Sequence, residues 1–447
     1  MSIQAYSRLA GHIVRGLPLF VRMNFGDFEK TASARLRYMV RYAYDSVELY
    51  RRKYDEAGIK PQHIRGVEDL GRLPLVTKKD LVDAYPSGIL SRRLKPGDYY
   101  MGSTSGSTGV PVRIFKDRGV LSTLMTASMF LNRMAGSYLR MKIRPDSMMY
   151  IFVDAPDSLE GVIVAEKSRL PVRFFKQNPH LDALEPVETH VEGINQYKPD
   201  IRVTYPSVLR NMALYAARNE VQMHQPQALM VTGELLDPNT RRVIERVFKG
   251  ELLNFYAATE CGVVAMECRY HKGMHVKAGS AIVEVVCDGK AVAQGETGEI
   301  VVTELWNGAT PIIRYAGLGD VGQFATDECP CGARTPRLKV IEGRKSDAIE
   351  LKGNVTIHPF SLTLALEHIP GITRFQIVQE EIDLVRAVIV PEGVGTAELA
   401  ETIRYRLKEI IRDRTRVEVV FVHDIPRLPN GQNHRVVVSK IARLSLV

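Results

Sequence analysis

The chain has 447 residues, enough at about 150 per domain for two or three domains whose cores need no covalent staples. With 45% apolar and 25% charged residues it has the make-up of a folded globular protein, which excludes wholesale disorder. The net charge of +9 suits either a nucleic-acid groove or polyanionic small molecules such as nucleotides, and its spread without blocks of like charge or interleaved aromatics favours the small molecules.

The N-terminus carries Arg8 and Arg15 around short apolar pieces, with neither a hydrophobic signal region nor a small-residue cleavage site, so a cytoplasmic protein is expected. No apolar stretch approaches the roughly 20 residues of a membrane span. Apolar residues at three- and four-residue steps predict a helix over residues 32–54, and Thr77 is placed to cap a short helix that follows it. Between about residues 100 and 320, β-rich runs at 148–153, 201–204, 229–232 and 299–303 alternate with helical ones such as 240–248, the mark of a layered α/β domain. The last hundred residues read differently. A helix at 360–369, strands at 375–378 and 385–390, an amphipathic helix at 397–414 and a strand at 417–422 predict a small ferredoxin-like α+β module. Gly343-Arg344-Lys345-Ser346-Asp347 separates the two regions. The expected fold is therefore α/β, with a large N-terminal layered domain (1–343) and a small C-terminal domain (344–447).

The most distinctive local segment is Gly102-Ser103-Thr104-Ser105-Gly106-Ser107-Thr108-Gly109. Small hydroxyl residues and glycines let backbone N–H groups approach phosphate oxygens closely. The segment lacks the Lys-Ser/Thr ending of the Walker loop, which disfavours a P-loop NTPase. Alone it reads equally well as a flexible surface loop. Its company, in one order, is Val231-Thr232-Gly233-Glu234, Asn254-Phe255-Tyr256-Ala257-Ala258-Thr259-Glu260, Pro311-Ile312-Ile313-Arg314-Tyr315 leading to Gly319-Asp320, Gly343-Arg344-Lys345-Ser346-Asp347 with Gly353, and Leu428-Pro429-Asn430-Gly431-Gln432.

This series resembles the adenylate-forming superfamily of acyl-CoA synthetases, adenylation domains and luciferases. Within it the phenylacetate–CoA ligase family is most similar, on Leu73-Pro74-Leu75-Val76-Thr77 with Asp83-Ala84-Tyr85-Pro86, the short length and the Cys/His pattern below. The resemblance implies an ATP-dependent ligase that makes an acyl-adenylate from a small, aryl or otherwise compact, carboxylic acid and passes the acyl group to coenzyme A. It implies that Ser103, Thr104, Ser105, Gly106, Ser107, Thr108 and Gly109 grip the β- and γ-phosphates. Gly233, Glu234, Tyr256 and Ala257 would border the adenine, with the Tyr256 ring free to stack. Thr259 would bind near the α-phosphate, Glu260 would hold Mg²⁺, and Asp320 and Arg344 would bind the ribose. Asp347 would be the hinge of the small domain, and Gly353 would admit the thiol of coenzyme A. Two positions depart from the family pattern. Ala257 stands where glycine is usual, and Gln432 follows Gly431 where the family carries a lysine that bridges carboxylate and phosphate. Glutamine donates hydrogen bonds but carries no charge, so Arg435 or Lys440 is a candidate substitute cation, and an adenylyltransferase, acyl transfer to an amine or carrier, and an impaired nucleotide-binding paralogue remain open. The implied partners are the acid, ATP and coenzyme A, with a homodimer open and no nucleic acid or membrane.

Five cysteines in a chain this long make no disulfide framework and fit a reducing compartment. Cys268, His275, Cys329 and Cys331 form a four-ligand set suited to structural Zn²⁺, with His271 as a competitor to His275. Cys261 and Cys287 read as packing residues.

Overall fold

The structure, a computed structural model, describes residues 28–103, 112–118, 148–152, 179–344, 349–352, 355–357, 362, 365–366, 369–425 and 437–439. The helix expected over 32–54 is two helices, α1 (Phe28–Ser46) and α2 (Glu48–Glu56). They part at Val47, which is extended (φ −125°, ψ 120°) and buried. The Ser46 hydroxyl donates back to the Tyr42 carbonyl at 2.5 Å, a local bond that competes with helix continuation. Helix α3 (Lys78–Ala84) starts at the expected cap: Thr77 Oγ1 accepts from the Asp80 N–H, and the Asp80 carboxylate accepts from the Thr77 N–H.

The large domain is built on a twelve-stranded sheet that changes character part way across. One side is parallel, in the order β4 (His180–Asp182), β3 (Met148–Phe152), β5 (Ile201–Thr204), β6 (Ala228–Val231), β7 (Glu251–Ala258). The other side is antiparallel: β8 (Gly262–Glu267), β9 (Met274–Val276), β14 (Arg337–Arg344), β13 (Asp320–Phe324), β12 (Thr297–Glu304), β10 (Ala281–Cys287) and β11 (Lys290–Ala291). Strand β7 belongs to both. Residues 251–254 pair in parallel with β6, residues 255–258 pair antiparallel with β8, and the register shifts between Tyr256 and Ala257. The hairpin β1 (Tyr99–Ser103) and β2 (Arg113–Asp117) stands apart from the sheet.

Helices α4 (Val187–Tyr197), α5 (Pro206–Asn219) and α6 (Pro238–Val247) share a core with the parallel strands. Leu209, Met212, Ala213 and Ile244 are fully buried there, each larger side chain contributing about 1.5–3 kcal/mol. Proline at the first turn starts α5 and α6, and Asp237 caps α6 by accepting from the Thr240 N–H at 2.8 Å. A second core lies under α1, α2 and the antiparallel half.

The small domain is α+β, as expected. Its third core cluster draws only on residues from Ile349 onward. A hairpin, β15 (Ile349–Leu351) and β16 (Val355–Ile357), precedes a four-stranded sheet in the order β19 (Arg416–Phe421), β18 (Leu384–Pro391), β17 (Ile372–Glu381), β20 (Val437–Ser439), with α7 (Ala397–Ile411) packed on it. Only the central β17–β18 pair is antiparallel. Helix α7 joins β18 directly to its neighbour β19, and in this detail the pairing differs from a ferredoxin-like sheet. Among the described residues no helix is long and apolar enough to cross a membrane.

Candidate active site

The carboxyl ends of parallel strands are where open α/β sheets present ligand-binding groups. Phe152, Tyr205, Gly233 and Tyr256 all lie at those ends of β3, β5, β6 and β7. Gly233 has φ +81°, and a Cβ there would sit 2.8 Å from Cε1 of Tyr205. Only glycine lets the Tyr205 ring lie against the backbone at this strand end. Tyr205 in turn packs edge-on against Phe152, with ring centroids 5.1 Å apart. The Glu234 carboxylate accepts from the Ser207 N–H and hydroxyl, each at 3.0 Å, and so caps the first turn of α5. Glu234 therefore links the segment after β6 to the segment after β5.

The motif around Tyr256 sits where the sheet switches from parallel to antiparallel. The Tyr256 hydroxyl donates to Asp320 Oδ2 at 2.6 Å. Burial, followed by the neighbouring Asp320 charge, pushes this phenol well above its ordinary range. The ring is thus anchored at its hydroxyl, and one carboxylate oxygen of Asp320 is engaged before any ribose arrives. Asp320 opens β13 directly opposite Arg344 on β14 in the backbone register.

Thr259 and Glu260 form the tight turn between β7 and β8, closed by the Cys261 N–H donating to the Ala258 carbonyl at 3.1 Å. Glu260 is only 7% exposed. Its Oε1 accepts from the Tyr315 hydroxyl at 3.1 Å, and burial and the Glu260 charge push the Tyr315 phenol far up. Its Oε2 has no hydrogen-bond partner among the described residues. The Glu260 backbone carbonyl accepts from Lys116 Nζ at 2.7 Å, and Lys116 also pairs with Glu304 at 3.3 Å, both side chains being buried.

Lys116 lies on β2, in the stem of the hairpin whose connecting residues 104–111 carry the Ser/Gly motif. The stem is pinned to the segment after β12. The Phe115 N–H donates to Thr310 Oγ1 at 3.0 Å, the Thr310 N–H returns to the Phe115 carbonyl at 3.1 Å, and the Asp117 N–H donates to Asn307 Oδ1 at 3.0 Å. The hairpin stem, the Glu260 turn and the Pro311–Tyr315 segment are therefore one buried unit. Lys116 and the Tyr315–Glu260 contact are the members that sequence reasoning missed. Tyr315 stood in a recognised motif without an assigned partner, and Lys116 gave no signal at all.

Of the expected site residues, Ser103, Gly233, Glu234, Tyr256, Ala257, Thr259, Glu260 and Asp320 are described, as is the backbone of Arg344. Thr104, Ser105, Gly106, Ser107, Thr108, Gly109, Asp347, Gly353 and Gln432 lie outside the described residues.

The Cys/His set converges away from this cleft. The ligand atoms of Cys268, His275, Cys329 and Cys331 all lie within 4.8 Å of one another, with Cys268 Sγ 3.5 Å from Cys329 Sγ and Cys331 Sγ 3.3 Å from His275 Nε2. Four tetrahedral ligands of a Zn²⁺ ion at the usual bond lengths stand about 3.5–3.8 Å apart, so the set fits such an ion. Two turns shape it. In one the His271 N–H donates to the Cys268 carbonyl, and in the other the Gly332 N–H donates to the Cys329 carbonyl. His271 is engaged elsewhere, with Glu251 at 3.1 Å and Glu267 at 3.4 Å.

Residues 31–307 match the AMP-binding enzyme family, and residues 350–440 match the CapK C-terminal domain. Among curated proteins the chain is 26% identical to the phenylacetate-coenzyme A ligase of Thermus thermophilus, over 92% of this chain and 94% of that one. It is 25% identical to the enzyme of the same name from Escherichia coli, over 90% and 92%. Among solved structures it resembles 2-hydroxyisobutyryl-CoA ligase in the postadenylation state, with a TM-score of 0.75 and 23% identity over 94% of this chain and 91% of that one. Against the same enzyme in its thioesterification state, with an acyl-adenylate and coenzyme A bound, the TM-score is 0.62 at 23% identity over 95% and 93%.

Proposed function

The chain belongs to the AMP-binding enzyme family, and on that premise we propose that it is an AMP-forming ligase that activates a compact carboxylic acid with ATP and transfers the acyl group to coenzyme A. The observation that carries this reading is the convergence of the hairpin stem, the Glu260 turn and the Tyr256–Asp320 pair at the carboxyl ends of the parallel strands.

The residues divide the work by position. The Ser103–Gly109 segment would hold the β- and γ-phosphates, and its stem is braced against the Glu260 turn by Lys116. Asp320 and Arg344 would take the ribose hydroxyls, while the Tyr256 hydroxyl on Asp320 Oδ2 fixes the carboxylate's orientation. Glu260 would hold a Mg²⁺ ion, since Tyr315 engages Oε1 of its carboxylate and a carboxylate oxygen suits a hard cation. Such an ion offsets charge on the departing pyrophosphate. Thr259, next to Glu260, would donate near the α-phosphate. The acid's carboxylate oxygen attacks the α-phosphorus, pyrophosphate leaves, and the protein contributes chiefly orientation and charge. Phe152 and Tyr205, whose ring lies against the Gly233 backbone, would line the acid side of the cleft and suit a flat or compact group.

We place the boundary between the domains at 343/344, with the hinge at Asp347. Strand β14 runs to Arg344, one residue past that boundary, and the small domain's core begins at Ile349, so the change of domain falls within a few residues of the proposed position. Rotation there would bring Gly353 to the cleft to admit the thiol, whose sulfur displaces AMP from the acyl carbon. Cys268, His275, Cys329 and Cys331 would hold a structural Zn²⁺ that ties the turn between β8 and β9 to the loop before β14.

The test is a carboxylic-acid panel scored first by ATP-dependent pyrophosphate release, then by AMP and thioester after coenzyme A is added. Release with a compact acid and thioester on adding coenzyme A are expected. Pyrophosphate without thioester would move the reading to an adenylyltransferase, and no release with any acid would remove it.

A further inference from the structure

The two domains meet where α5 and α6 face the start of β17. Arg210, one turn into α5, is 5% exposed, and its Nη2 donates to the Thr373 backbone carbonyl at 2.6 Å. Asn239, in the first turn of α6, donates from Nδ2 to the neighbouring Ile372 carbonyl at 3.4 Å. The acceptors are available for a structural reason. Strand β17 pairs Ile372 with Pro391 and Arg374 with Val390, so Thr373 is the extra residue of a β-bulge with no partner position on β18. A bulge turns backbone groups out of the ladder, toward whatever packs on the strand. Arg374, on the small domain, pairs with Asp424 at 2.7 Å and donates to the Ile425 carbonyl at 2.9 Å.

The Arg210 contact is also poised to break. Burial, and then the like charge of Arg374, bring its guanidinium down to about 10. A cation held in this way gains hydration when the domains separate, which offsets the lost hydrogen bond. Backbone acceptors add no side-chain ordering on the small domain, so the contact can close and open many times without repacking a core.

We propose that Arg210, assisted by Asn239, is a positioning residue: a catch that holds the small domain in the arrangement used for acid activation and lets go for thioester formation. This rests on the ligase reading above. The arrangement is assigned to acid activation because the chain is more similar to the postadenylation state of 2-hydroxyisobutyryl-CoA ligase than to its thioesterification state. A bias between two arrangements alters one half-reaction at the expense of the other.

The experiment compares wild type, Arg210→Gln, Arg210→Lys and Asn239→Ala in two half-reactions and one distance. Loss of one charge-assisted hydrogen bond predicts that Arg210→Gln slows acid-dependent ATP–pyrophosphate exchange about tenfold. Thioester formation from supplied acyl-adenylate should be unchanged or faster. Arg210→Lys should recover part of the exchange, and Asn239→Ala should show a smaller loss of the same kind. Spin labels at Tyr197→Cys and Val394→Cys, exposed positions on the two domains, in a Cys287→Ser background, should report a wider spread of separations in Arg210→Gln without any substrate. Equal loss in both half-reactions, or an unchanged separation, would overturn the catch. If wild type activates no acid, the ligase reading fails while the label distances still decide whether Arg210 holds the domains together.

Discussion

Replacing Lys116 with methionine tests whether the hairpin stem and the Glu260 turn are one buried unit. Lys116 and Glu304 are 3.3 Å apart with side chains only 8% and 7% exposed, so methionine fills the stem's volume and leaves a buried carboxylate without its countercharge, held by the Asn307 backbone N–H. Removing one partner of a buried ion pair costs about 3–5 kcal/mol, because the other charge stays buried without compensation. At an unfolding entropy of about 2.1 cal/mol/K per residue, a domain of roughly 340 residues shifts by about 1.4 °C per kcal/mol, so the large-domain melting midpoint should fall by roughly 4–7 °C at pH 7. The pH dependence gives the sharper test. Burial already holds Glu304 above the ordinary glutamate value of 4.5, with Lys116 pulling it down. Without Lys116 it rises further, so the folded state keeps a proton that the unfolded chain releases. Stability of the variant is therefore least impaired below pH 4.5, and it declines as pH rises from 4.5 through the raised folded value. Calorimetry of wild type, Lys116→Met, Glu304→Gln and the double variant at pH 7 and near pH 5 would measure this. The double variant should recover most of the loss. An undisturbed midpoint at pH 7, or a deficit of equal size at both pH values, would refute the reasoning.

Glu260→Gln still accepts from Tyr315 but loses the charge for a cation, so Mg-dependent pyrophosphate release should disappear with little change in melting; unchanged turnover would remove Glu260 from the cation site. Gly233→Ala places a methyl against the Tyr205 ring at φ +81°, and substitution at a strained position of this kind predicts a loss of about 1–3 kcal/mol in stability, with acid activation reduced more than the thioester step. Zinc in protein purified without added metal should be near one ion per chain by elemental analysis, and Cys331→Ser should lower both zinc content and the large-domain midpoint. Gln432→Lys should raise the rate of adenylate formation in single-turnover assays, and no change would point to another cation such as Arg435 or Lys440.

Much of the chemistry was legible because it rests on residue type and order. A run of glycines and small hydroxyls, a Thr-Glu pair after a strand, an Asp after glycine and four soft metal donors each declare what they can bind, and six motifs in series constrain one another. The cap at Thr77 was legible for a related reason: donor and acceptor are three residues apart, so their meeting depends only on the local turn. The break at Val47 was not, since helical periodicity runs on through a residue whose backbone is extended and whose side chain is buried.

Sequence alone determined which reactive groups this chain carries and which local turns and caps they form, because composition, cap chemistry and periodicity act over one or two turns of chain. Tertiary structure decided how they are shared out. The insertion of β14 between β13 and β9 brings Asp320 opposite Arg344, Tyr315 reaches Glu260 across 55 positions, Lys116 reaches Glu304 across 188, and Arg210 finds Thr373 across 163. Those contacts follow from strand order and register, where a one-residue slip reverses every side chain; no local pattern in the chain encodes them.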